Sequence, residues 1–428
     1  MNLFNRNNYL SSPEGLLAQY RSRLQRRIRF GIEDIEPRAK NSMSVRDKDE
    51  VQRQLLDYMV RLHRRAFRGP LALRLILSTT SKTPTQSHNV MKHLLDLFAV
   101  PRPNLLTGRS RLLYKDDSQI HALSVTCQHG QTAPLILGMA MPLRSFLKDL
   151  EIASTHSNRV DDERAWDELD EEDSVLEEFK RLRRSEPELR QRYGNRPYKS
   201  LVRYAGQRTQ EIFLRRTRIT LQELSEIYGV AHPGIGLDIS TSWEKMVAAW
   251  PMRVSFSELP QTHGDSSAWR NEIEAKLEAF QTRFGWLLDP LLVPVALEVV
   301  IKPSPPSRNR GLHDLDNVLR THLIPRVFEI LKPLSHGSFT LDIDALNREM
   351  PHLFARSALA DWPAGLPPPP PESTRTGVTR YEVWRLPPAK EGSIGFVTIT
   401  LVRDWSGGGD VFGQIDDEFD AWQESLRR

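Results

Sequence analysis

The chain has 428 residues, 39% of them hydrophobic, with a formal net charge of +4 and a pI of about 9.1. The length gives room for two or three domains. No apolar run approaches the roughly eighteen residues that span a bilayer, so no membrane partner is expected. The single cysteine, Cys127, excludes an internal disulfide framework and a cysteine-based zinc site. With a polar, then arginine-rich start and no leader pattern, a cytoplasmic protein is expected.

In chain order, residues 1–27 form a basic N-terminal arm, with Arg21, Arg23, Arg26 and Arg27 as candidate phosphate contacts. Arg29–Glu33 alternates like a strand, and Val45–Arg65 has the helical period. That helix carries Val51, Leu55, Tyr58, Met59 and Leu62 on one face, and Arg53, Arg61, Arg64 and Arg65 on the other. Leu71–Leu77 is a strand, and a helix opens in Gln86–Lys92 and runs through Leu97 and Phe98. The step Lys115-Asp116-Asp117-Ser118-Gln119-Ile120 feeds two further strands, Ile120–Gln128 and Ala133–Met141.

Residues 143–249 read as a charged, largely helical insert. Asp161–Glu178 holds eleven acids against one arginine; Lys180–Arg218 holds thirteen Lys and Arg against three Glu. Such blocks serve as solvated faces or arms. The basic block is interleaved with Tyr193, Tyr198, Tyr204 and Phe213, a pattern that suits nucleic acid. Arg183, Arg184, Arg215 and Arg216, with Arg64 and Arg65, are therefore the candidate DNA contacts. Ile219–Val230 has the form of a first helix and turn of a helix-turn-helix. The following Pro233, Gly234 and Gly236 do not suit a recognition helix, so an ordinary helix with a glycine cap is the simpler reading.

After the insert the same order of elements returns. Met252–Phe256 is a short strand, Trp269–Gly285 an amphipathic helix and Pro294–Ile301 an apolar strand. Then comes His313-Asp314-Leu315-Asp316-Asn317-Val318-Leu319-Arg320, and a hairpin of Val378–Leu386 and Ile394–Val402. Asp314 and Asp316, two apart in an extended segment, point the same way. Asp316 is placed to cap a helix starting at Asn317, and Arg320 lies one turn on. Two oxygen ligands beside a fixed cation suit Mg²⁺, or Mn²⁺, and a phosphate group.

The Asp-Leu-Asp-Asn-x-x-Arg pattern, with its flanking elements, resembles the metal motif of the RusA family of Holliday junction resolvases over about residues 250–403. The first half resembles the family through Lys115–Ile120. The resemblance implies an α/β (α+β) protein of two RusA-like units, each a small mixed sheet with two helices, at 28–142 and 250–403. The charged insert 143–249 joins them, a proline-rich stretch at about 331–373 interrupts the second, and 404–428 forms an acidic tail. It implies that Asn89 aligns with Asn317, which puts Lys92 at the family's active-site lysine. The first unit has Gln86 and His88 at the D-x-D positions but keeps Lys92, Asp116 and Asp117. The second keeps Asp314 and Asp316, has Arg320 for the lysine, and has Thr374-Arg375 at the Asp-Asp step. Glu372, Asp361 and Glu382 are candidates for the missing ligand. The histidines near the motifs, His88, His93, His313 and His322, have no zinc-type spacing.

The implied function is metal-dependent, structure-selective endonuclease action on branched or duplex DNA. Asp314, Asp316, Asp116 and Asp117 would be the metal ligands, with Arg320 and Lys92 facing the phosphate. The implied assembly is a monomeric pseudo-dimer, since the family acts as homodimers. Two alternatives stand beside it: a DNA-binding protein of the same fold without turnover, and an interaction subunit that docks through its acidic block and the Pro367–Pro371 run.

Overall fold

A computed structural model describes residues 9–81, 87–157, 165–229, 252–258, 267–289, 291–305, 315–332, 378–391, 394–405 and 409–427. The first half runs α1 (Pro13–Leu24), β1 (Ile28–Glu33), α2 (Val45–Arg61), β2 (Leu71–Ser78), α3 (Ser87–Ala99), β3 (Ile120–Gln128), β4 (Leu135–Pro142) and α4 (Leu143–Ser157). The insert adds α5 (Ala165–Arg184), α6 (Glu186–Tyr193), α7 (Asn195–Arg216) and α8 (Leu221–Tyr228). The second half runs β5 (Arg253–Ser257), α9 (Ser267–Leu288), β6 (Val295–Lys302), α10 (Leu315–Val318), a π-helical turn (Leu319–Leu323), α11 (Ile324–Leu331), β7 (Arg380–Arg385), β8 (Phe396–Arg403) and α12 (Val411–Ser425).

The eight strands of the described residues form one mixed sheet in the order β1-β4-β2-β3-β7-β6-β8-β5. In the first half β4 lies antiparallel between β1 and β2, and β2 is parallel to β3. In the second half β8 lies antiparallel between β5 and β6, and β6 is parallel to β7. The halves join edge to edge through antiparallel β3 and β7. Their registers agree as well. Arg29, Met139, Arg74, Ser124, Glu382, Glu298, Thr400 and Arg253 lie in one row across the sheet, each the register partner of the next. A two-fold between Ser124 and Glu382 would exchange Arg74 with Glu298, Met139 with Thr400 and Arg29 with Arg253. The sheet is therefore continuous, where two small sheets were expected. An open β3 edge and an open β7 edge satisfy each other's backbone groups.

Helices cover both faces, as the double-sided burial of β2 and β6 requires. One face packs α2, α3, α9, α10 and α11 through residues such as Leu55, Phe98, Leu277, Val318 and Val327. The other packs α1, α4, α8 and α12 through Tyr20, Phe146, Leu224 and Phe419. Both chain ends differ from the expected solvated arm and tail. Leu17 and Tyr20 on α1, and Val411, Phe412, Ile415 and Phe419 on α12, recur at helical spacing and are buried. Ser12 and Asp410 cap the two helices with their side chains. Arg23 and Arg27 point inward: Arg23 meets Asp149 at 2.5 Å, and Arg27 meets Asp416 at 2.7 Å. Half of the proposed phosphate-contacting arginines of the arm are thus taken up in buried ion pairs.

The insert is also folded onto the body. Gln210 of α7 donates to the Leu287 carbonyl at 2.6 Å and accepts from the Leu292 N–H at 2.8 Å. Thr217 donates to the Leu401 carbonyl at 2.6 Å. α8 starts with a Thr220–Glu223 capping box and ends at Gly229, φ 71°. The helix-turn-helix candidate is thus an ordinary capped helix over its described part; residues 230–251 lie outside the described residues.

Candidate functional site

The two motif helices meet beside the junction of the halves. Ser87, at the start of α3, is buried and donates to the Val378 carbonyl at 2.7 Å, in the segment entering β7. Arg320, on the π-helical turn of the second half, donates from Nε to the Asn89 Oδ1 at 2.8 Å. Asn89 and Lys92 belong to the first half, so Arg320 reaches across to its counterpart helix. The π turn ends just before Pro325 in the first turn of α11. Proline has no N–H to give to the preceding turn, and a widened turn accommodates that loss.

Asp314 lies outside the described residues, as do Gln86, Asp361, Glu372 and the Thr374-Arg375 step. The backbone of Asp316 lies inside α10, which starts at Leu315. That corrects the expectation of a cap at Asp316 and a helix from Asn317: the helix opens two residues earlier.

In the first half Lys92 Nζ sits 2.9 Å from Asp117 Oδ2 and 3.4 Å from Asp96 Oδ1. Asp117 is buried and begins a 3₁₀ turn, Asp117–Gln119, at the head of β3. Asp116 is the N-cap of that turn: its Oδ1 accepts from the Ser118 N–H at 3.1 Å and from the Ser118 hydroxyl. Gln119 closes the capping box and donates to the carbonyls of Phe67 and Gly69. Lys92 thus engages Asp117, and one oxygen of Asp116 is taken up by its cap. Among the described residues no three His, Cys, Asp or Glu side chains converge to hold a metal ion. His88, at a D-x-D position, is buried, with Nδ1 unpartnered and its ring edge-on to Phe328 at 5.8 Å. Burial, helped by the Arg320 charge, pushes it down to about 4, so it is neutral near pH 7.

Glu382 is no substitute ligand. Its strand neighbours Tyr381 and Val383 face the core under α3 and α10, so Glu382 faces the opposite side of the sheet. There it accepts from the Val411 N–H at 2.8 Å and lies 3.4 Å from Arg218. Arg218 is also 3.4 Å from Glu298, which accepts from the Ile219 N–H at 2.8 Å. Burial pushes Glu298 up to about 7 against the pull of Arg218, and pushes Glu382 up in the same way. Next in the row, Asp410 accepts from Arg74 at 2.6 Å and from Ser124 at 2.8 Å. A buried ionic row thus fixes the α7–α8 junction and the start of α12 onto the middle of the sheet.

Among the candidate DNA contacts, Arg64 donates to the Gln25 carbonyl at 2.5 Å and is half-buried, while Arg65 is exposed. Arg184 and Arg215 are exposed, and Arg183 and Arg216 are half-buried. Arg385 was not foreseen: it is buried at the end of β7 and donates to the Ser118 carbonyl at 2.7 Å, tying the second half to the Asp116–Asp117 step. The ionic row was not foreseen either. Its signal was present as charges in the middle of buried strands, Arg74 in LALRLILS, Glu298 in VALEVVIK and Glu382 in RYEVWR. In comparisons with known proteins, no family model, no curated protein and no solved structure matches this chain.

Proposed function

We propose that this chain binds branched DNA as a pseudo-dimer of resolvase lineage. The observation that carries the proposal is the repeat of strand order, direction and register in both halves, with the two motif helices meeting at the Arg320–Asn89 bond. A pseudo-two-fold surface suits a branched duplex, which is itself close to two-fold, and Arg320 and the insert arginines are the cations for its phosphates. Turnover is not assigned to the first half, whose carboxylates are engaged by Lys92 and by the cap. Cleavage by the second half is the other reading, favoured by Asp314 immediately preceding α10 and the exposed Arg320.

The test is a four-way junction, a linear duplex and a single strand, each incubated with the protein in Mg²⁺, Mn²⁺ or EDTA. Binding to the junction in EDTA, weakening steeply between about 50 and about 200 mM salt, is expected. Charge reversal at Arg183, Arg184, Arg215 and Arg216 should weaken binding to all sequences alike. Binding that ignores both salt and these substitutions would rule out the phosphate-contact reading. Metal-dependent cutting that Asp316→Asn abolishes, with DNA affinity kept, would select the cleavage reading.

A further inference from the structure

The connection between α2 and β2 and the approach to β3 run side by side. Phe67 N–H donates to the Leu113 carbonyl at 2.8 Å, Arg109 donates to the Arg64 carbonyl at 2.9 Å, and Gln119 donates to the carbonyls of Phe67 and Gly69. These bonds fix two short segments against each other. Arg65 and Arg68 lie on one, Arg111 and Lys115 on the other, and all four are exposed. None of the four has a carboxylate partner among the described residues. Some neighbouring cations are paired: Arg53 with Asp57, Arg102 with Asp49, and Lys92 with Asp117. Four unpaired like charges on adjoining segments repel one another, so folding gives no reason for the cluster.

The repeat supplies an internal control. The equivalent connection of the second half, between α9 and β6, contains Leu291, Leu292 and Val293, all buried, and is held by Gln210 of the insert. The same structural position is therefore apolar and covered in one half, and basic and open in the other. The fold of this connection does not demand Arg65 and Arg68.

We infer that Arg65, Arg68, Arg111 and Lys115 form a phosphate-backbone grip for one duplex arm. The inference deepens the proposed DNA binding and rests on it. Lys115 directly precedes Asp116 and Asp117, so the grip adjoins the Lys92–Asp117 pair and would lead a duplex toward the meeting point of the motif helices.

Fluorescence anisotropy of a labelled linear duplex, with the full chain and a salt series, tests this. The logarithm of the binding constant falls with log salt by about 0.9 per phosphate contacted. The combined substitution of all four residues by alanine should flatten that slope by roughly 3 to 4, and Arg68→Ala or Arg111→Ala alone by about 1. Arg68→Lys and Arg111→Lys should keep the wild-type slope, which separates charge from any effect on folding. Wild-type binding with an unchanged slope in the fourfold variant would overturn the grip and leave DNA binding standing. A wild type that binds no DNA would overturn both.

Discussion

Glu298 and Glu382 are register partners on adjacent strands and share one guanidinium, that of Arg218. Two carboxylates in a desolvated row cannot both be neutralised by one cation, so the pair retains a proton near neutral pH. A carboxyl whose folded value is raised binds its proton more tightly in the folded state. Its stabilising contribution is complete below the ordinary carboxylate range and is lost as pH rises through the folded value. His88, His93 and His121, each pushed down to about 4 by burial, act in the opposite sense, but only below about 6.5, where unfolded histidine is charged. Above that the carboxylates dominate. Urea midpoints should therefore fall between about pH 6.5 and about pH 8, by an amount on the order of 1 to 2 kcal/mol. Glu382→Gln keeps an oxygen for the Val411 N–H and leaves Arg218 to Glu298 alone, so its midpoint should change little over the same interval. A wild-type midpoint flat from about 6.5 to about 8 would show that the pair holds no proton there.

Among the elements, β4 tests how tightly the edge of the sheet is packed. Gly138 lies opposite Phe30 of β1, and a Cβ built on it falls inside the Phe30 ring. Gly138→Ala should cost about 1 to 3 kcal/mol through overpacking, read as a lowered thermal midpoint. A companion Phe30→Leu change should recover part of that loss. The strands themselves were legible in the sequence, because alternating or continuous apolar runs bounded by turn residues state a strand directly. The return of the same element order around Asn89 and Asn317 was legible for the same reason. The pairing of β3 with β7 was not, since a strand's own pattern does not name its neighbour. Nor was the row of charges, because a lone Arg74 or Glu298 gains its meaning only when register sets it beside Asp410, Glu382 and Arg218. At the candidate site Lys92 and Asp117 were both legible as charged residues of the motif, and the fold brings them into an ion pair. What spacing did not reveal is that Lys92 engages the carboxylate a metal would need, or that Arg320 spends its Nε on Asn89.

For the whole molecule, the β3–β7 pairing has a consequence for assembly. A half on its own would expose β3 or β7 as an open edge with apolar residues on both sides, a template for a second copy. In the intact chain each edge is closed by the other, from Ala122–Trp384 to Thr126–Arg380. Among the described residues the edge strands are β1, bearing the exposed Arg29 and Glu33, and the five-residue β5. Outward charge and short length both discourage strand addition. Light scattering at micromolar concentration should accordingly give a mass near the 49.2 kDa of one chain. Val125→Pro should change that. Val125 lies between Leu75 of β2 and Tyr381 of β7, and proline in its place removes its ladder N–H from the central strand pair. The expected result is loss of the cooperative thermal transition or a shift to larger species as the paired edges come apart. A variant that stays monomeric with an unchanged melting profile would show that the two halves hold together without the central strand pair, through the helices on the two faces alone.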